Sequence, residues 1–131
     1  MVEAITVMAF DFGEKRIGVA VGNTLLKAAN PLNTLRVLSL DSRFAAIKTV
    51  VDEWQPTQLV VGRPLHPDGT AHALTARCEK FARQLNGRFN LPVALVDERY
   101  TSAIAQQERA RDVDARAAAL ILESYFDQFH A

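Results

Sequence analysis

Cysteine, histidine and net charge are all scarce in this sequence. Its 131 residues include one cysteine, Cys78, and three histidines. One thiol forms no internal disulfide, and the stock of sulfur and imidazole is poor for a zinc site. Both facts suit a reducing cytosol, so a cytoplasmic location is expected. No apolar run approaches the roughly 18 residues of a membrane span. The start, Met1-Val2-Glu3-Ala4-Ile5, lacks the basic region of a signal peptide. No membrane partner is expected. Charge of one sign is missing too: 15 Lys and Arg stand against 15 Asp and Glu. That excludes a global basic field and counts against tight non-specific nucleic-acid binding, while leaving a local site open. Repeats and low-complexity linkers are also absent.

What is there is a chain with 49% hydrophobic residues, too apolar and too weakly charged for disorder. One domain, residues 1–131, is expected. A domain of this size buries roughly two-thirds of its unfolded surface and needs no crosslink. Residues 4–11 are apolar on both alternating faces, as in a central strand covered on both sides. A turn at Glu14-Lys15 leads to a second strand, Ile17–Val21, and residues 33–38 read as a third. Asp41 or Ser42 caps a helix carrying Phe44, Ile47, Val51 and Trp54, closed by Pro56. Gln58–Gly62 is a buried strand. Thr70 caps a second helix, with Ala71, Leu74, Cys78, Phe81 and Leu85 on one face, ended by Asn86-Gly87. Val93–Val96 is another buried strand. Thr101 or Ser102 starts a short helix. A last helix follows Asp114, with Ala118, Ile121, Leu122, Tyr125 and Phe129 inward. The predicted fold is α/β: a five-stranded mixed sheet, its first three strands antiparallel, with helices on both faces.

Sites in such sheets form at the carboxyl ends of the parallel strands. Asp11, Gly62 and Glu98 fall there. Asp11 is either a solvated strand end, a carboxylate held by backbone N–H groups of the turn, or a functional acid. Gly13 permits a close backbone approach, to a phosphate among other things. Asp97 and Glu98 are adjacent on a strand and point to opposite faces, so only one shares the cavity of Asp11. Arg99 either pairs with one of them or steers a phosphate. Asp114 reads equally as a helix N-cap, and Asp112-Val113-Asp114 leaves the choice of aspartate open. Three carboxylates gathered at one edge repel one another unless a cation joins them. Hard oxygen ligands suit Mg²⁺ or Mn²⁺, as one or two ions, and such ions serve phosphodiester cleavage. The loop Gly62–Thr70 offers a helix N-terminus to an anion. Arg77, Lys80 and Arg83 make a loose basic ridge, either a solvated face or a contact to a nucleic-acid backbone. His66 reads as a loop residue, Cys78 and Trp54 as packing residues. Tyr125, Phe126 and Phe129 bury the final helix, with a dimer contact left over; a monomer or weak homodimer is expected.

Four motifs in order carry a family resemblance over nearly the whole chain. They are Phe10-Asp11-Phe12-Gly13 with Ile17-Gly18-Val19-Ala20; Val60-Val61-Gly62-Arg63-Pro64-Leu65 with Asp68-Gly69; Asp97-Glu98-Arg99-Tyr100-Thr101; and Val113-Asp114 with Ala117-Ala118 and Ile121–Tyr125. In these the sequence resembles the YqgF family, also called RuvX. The resemblance implies an RNase H-like fold, similarity to Holliday-junction resolvases, and a part in maturing the 5′ end of 16S ribosomal RNA. The family's acidic residues fall on Asp11, Glu98 and Asp114, which selects Asp114 over Asp112 and implies metal-dependent hydrolysis of a phosphodiester. Gly13, Lys15, Arg16, Gly62, Arg63, Arg99 and Thr101 are the expected substrate-binding set. Arg63 stands where the family commonly has an apolar residue and would add a cation near the phosphate path. RNA, as precursor 16S rRNA or ribosomal particles, is the expected partner. Branched DNA, a non-catalytic role in ribosome assembly, and nucleotide binding of the actin-like kind are the alternatives.

Overall fold

The computed structural model describes residues 5–66, 68–71, 73–97 and 113–129. Five strands form one sheet: β1 (Thr6–Asp11), β2 (Arg16–Asn23), β3 (Ala29–Arg36), β4 (Gln58–Arg63) and β5 (Val93–Asp97), in the order β3-β2-β1-β4-β5. β1, β2 and β3 are antiparallel neighbours, whereas β4 runs parallel to β1 and β5 parallel to β4. The helices are α1 (Leu40–Trp54), α2 (Thr75–Phe89) and α3 (Val113–Phe129). Alternation along β1 divides the core in two. Met8 and Phe10 join Phe44, Ile47, Phe81 and Leu85 of α1 and α2 on one face. Val7 and Ala9 join Ala118, Ile121, Leu122 and Phe126 of α3 on the other. A strand buried on both faces is apolar throughout, which is why residues 7–10 read as they do. Cys78 is buried in the first of these cores. Among the described residues, no helix is long and apolar enough to cross a membrane.

Element boundaries differ from expectation for local reasons. β3 starts at Ala29, earlier than residue 33; it is an edge strand, the place in a sheet where a proline such as Pro31 is tolerated. The cap of α1 is Ser39, not Asp41 or Ser42. Ser39 Oγ accepts from the Ser42 amide at 3.1 Å and Ser42 Oγ accepts from the Ser39 amide at 2.9 Å, a reciprocal capping box. Thr70 does not start α2. Its amide and hydroxyl both donate to Asp68 Oδ1, at 2.9 and 2.7 Å, closing a turn whose flanks bridge Leu65 to Ala71. α2 begins five residues later and passes through Asn86-Gly87 to a left-handed Asn90, φ 54°. β5 is half-buried rather than buried because it forms the other edge. Two aromatic residues expected inside are exposed: Trp54 at 41% and Phe129 at 55%, the latter stacked on Tyr125. The expected short helix at Thr101 or Ser102 lies outside the described residues.

Candidate active site

The carboxyl ends of β1, β4 and β5 lie together at one edge of the sheet. Phe10 pairs with Val61, Gly62 with Val96 and Arg63 with Asp97, so the three parallel strands finish nearly level. Asp11 is the last residue of β1 and half-buried. It continues the face of Val7 and Ala9, which is the face α3 covers.

Gly18 is the residue that brings α3 to Asp11. It lies directly across from Asp11 in the β1–β2 pairing. A β-carbon on Gly18 would fall onto the Asp114 carbonyl group and within 2.8 Å of the Ala115 nitrogen. The first turn of α3 therefore rests on the β2 backbone at the point where Asp11 is paired. Asp114 stands in that first turn, inside the helix rather than at its cap, and its carboxylate favours the positive end of the helix dipole. Arg16, two residues before Gly18, brings Nε to 3.1 Å from Asp114 Oδ2, with the side chains 65% and 27% exposed. A pair this exposed is worth no more than about 1 kcal/mol; it positions more than it stabilises. Lys15 and Arg16 line a surface pocket with Arg36, Val37 and Leu38. Gly13 makes the turn between β1 and β2 possible, since a β-carbon there would strike the Arg16 carbonyl.

Gly62 is buried at the end of β4. Arg63, expected near the phosphate path, is held in ion pairs with Asp97 and Glu79. Its Nε and Nη2 donate to Asp97 Oδ1 at 3.0 and 2.8 Å, and Nη1 donates to Glu79 Oε2 at 3.2 Å. The hydrogen bond to Asp97, then that to Glu79, holds the guanidinium above its ordinary pKa against the opposing effect of burial. This clamp ties β4, β5 and α2 on the face opposite Asp11. Glu98, Arg99 and Thr101 lie outside the described residues. Among those described, no group of three or more His, Cys, Asp or Glu could hold a metal ion. Asp11 and Asp114 supply hard oxygen donors at this edge, the type that Mg²⁺ and Mn²⁺ take. Sequence reasoning reached both aspartates and overlooked Gly18 as the seat of Asp114; a glycine inside an apolar strand was the available signal.

The RuvX family model, described as a Holliday junction resolvase, matches residues 5–128. The chain belongs to the RuvX family. Two RuvX relatives carry the provisional name pre-16S rRNA nuclease. The one from Polynucleobacter necessarius is 52% identical over 130 residues, covering 98% of this chain and 88% of its own. The one from Paraburkholderia xenovorans is 52% identical over 128 residues, covering 93% and 88%. Among solved structures, RuvC from Thermus thermophilus, in complex with a Holliday junction substrate, aligns at a TM-score of 0.61 with 17% identity, over 97% of this chain and 98% of that one. The RuvX chain thus has the RNase H-like fold of such resolvases, a mixed five-stranded sheet with helices on both faces.

Proposed function

We propose that this chain, acting as one domain in the cytoplasm, is a divalent-metal-dependent nuclease that processes the 5′ end of precursor 16S rRNA. What supports this reading is that Asp11 pairs with Gly18, and the Asp114 backbone lies against that same Gly18, on the edge where the parallel strands end. The names of its relatives support the substrate. Glu98 is the third carboxylate. Adjacent residues of an extended strand take opposite faces, and Asp97 has already turned to Arg63 and α2, which supports Glu98 as the acid that accompanies Asp11. Mg²⁺ or Mn²⁺ held by Asp11, Glu98 and Asp114 would supply Lewis-acid stabilisation of the charge that develops on the phosphodiester oxygens.

The protein's own groups complete the site. Arg16 offsets the charge of Asp114 through their ion pair. Lys15 is exposed beside it and offers a cation to an incoming phosphate. Gly13 and Gly62 keep side chains out of the way of a bulky polyanion. Arg99 and Thr101 complete the substrate contacts. Asp11→Asn keeps the shape of the side chain and removes a charge. It should abolish Mn²⁺-stimulated trimming of a 5′-extended 16S rRNA fragment while leaving the circular dichroism spectrum unchanged. Undiminished trimming by this variant would sink the assignment. The family description favours a second reading, cleavage of branched DNA. Faster cutting of a four-way junction than of the rRNA fragment would select it.

A further inference from the structure

The same edge of the sheet carries a second cleft, on the α1–α2 side, that the carboxylates leave unused. Phe12 follows Asp11 and turns to the opposite face, where its ring meets Phe81 with centroids 4.8 Å apart. The Arg43 guanidinium lies over the Phe12 ring at 5.1 Å. Glu14, Leu40, Arg77, Lys80 and Gln84 line the rest. The charges here are unbalanced. Arg77 is paired with Glu14. Neither Arg43 nor Lys80 has an ion-pair partner among the described residues. Arg43 Nε is buried with no hydrogen-bond partner, and burial lowers the guanidinium below its ordinary pKa. A desolvated cation without an anion is unfavourable, and a phosphate supplies what it lacks. Leu40 beside it, 51% exposed, gives a nucleoside an apolar surface next to that phosphate. Arg83, on the same helix, belongs elsewhere: it lines a separate pocket with Glu79 and Val93. The basic ridge of α2 is therefore divided, and only its Arg77 and Lys80 face this cleft.

We propose that this cleft binds a backbone phosphate of the polynucleotide strand beyond the scissile bond, through Arg43 and Lys80, with Leu40 against the adjoining nucleoside and Phe12 holding the Arg43 guanidinium in place. The proposal rests on the nuclease reading and adds a path for the strand: across the end of β1, from the α3 face at Asp11 to the α1–α2 face at Phe12.

The test is fluorescence anisotropy of a short labelled single-stranded oligouridylate in EDTA, titrated with salt. Arg43→Met should weaken binding about tenfold and Lys80→Gln about threefold. Each should also make the slope of log affinity against log salt shallower by about 0.7, the signature of one lost phosphate contact to a single strand. A purely structural role would move the melting temperature and leave that slope alone. Arg83→Gln removes the same charge outside the cleft and should change neither quantity. Wild-type slopes for Arg43→Met and Lys80→Gln overturn the proposal. So does an equal effect of Arg83→Gln, so does failure of the wild type to bind the probe, and so does full displacement of the probe by millimolar inorganic phosphate. Metal-dependent cleavage by Asp11→Asn is read separately. Its persistence would refute the carboxylate site while leaving the binding result intact.

Discussion

Gly18→Ala is the most direct perturbation of the link between α3 and the sheet. The added β-carbon would meet the Asp114 carbonyl group and the Ala115 nitrogen, all backbone atoms of one helical turn. No rotamer change relieves such a contact, so the turn itself must move. Inserting one carbon into a packed site costs about 1–3 kcal/mol, and a backbone target puts the expected cost in the upper half, about 2–3 kcal/mol. For a chain of this size that is a fall in melting temperature of roughly 6–15 °C. Activity should fall further than stability explains. The moving turn carries Asp114, and a displacement of about 1 Å in a catalytic group can cost about a hundredfold in rate. The assay is thermal unfolding by circular dichroism beside Mn²⁺-stimulated cleavage well below the melting temperature. Gly87→Ala is the matched control. It lies inside α2, where a β-carbon meets nothing within 4 Å. It should stabilise by about 0.5–1 kcal/mol through helix propensity alone. A Gly18→Ala protein with wild-type melting and wild-type turnover would refute the placement of α3 on β2.

Two further expectations concern the scaffold. Ser39→Ala removes the capping-box acceptor at the start of α1 and should cost about 1 kcal/mol in urea unfolding, whereas Asp41→Ala, one residue inside the helix, should cost less. Hydrogen bonds from the Thr70 amide, then from its hydroxyl, hold the Asp68 carboxyl below its ordinary value of 3.8. A carboxyl depressed in the folded state binds fewer protons there than in the unfolded chain. Its contribution is therefore complete above that ordinary value and lost as pH falls below it toward the folded pKa. Asp68→Asn should lower the neutral plateau of a stability–pH curve and flatten its acid limb, the two proteins converging at low pH.

Much of the core was legible because periodicity reports burial directly. Phe44, Ile47 and Val51 recur at helical spacing and are buried, as are Cys78, Phe81 and Leu85. Trp54 follows the same spacing yet is 41% exposed, because it is the last residue of α1 before the left-handed Gln55 turns the chain away. Periodicity says which face a residue joins and not where the neighbouring element stops. Phe129 fails likewise at the end of α3, where Phe126 takes the buried place.

The candidate site divides along the same line. Residue type and strand order alone brought Asp11 to the end of β1 and Gly62 to the end of β4, because buried strands are apolar and polar residues mark where they finish. Family resemblance selected Asp114, which local spacing left level with Asp112. Only the tertiary structure decided how the charges are partnered. Arg63 and Asp97 are far apart in sequence, and their ion pair depends on the parallel register of β4 and β5 and the approach of Glu79. Arg16 meets Asp114 because Gly18 lets a helix turn rest on bare strand backbone. The equal counts of acid and base were there to be read from composition. Which cations have a carboxylate partner and which, like Arg43 and Lys80, have none among the described residues is a property of distance, and distance between remote residues exists only once the chain has folded.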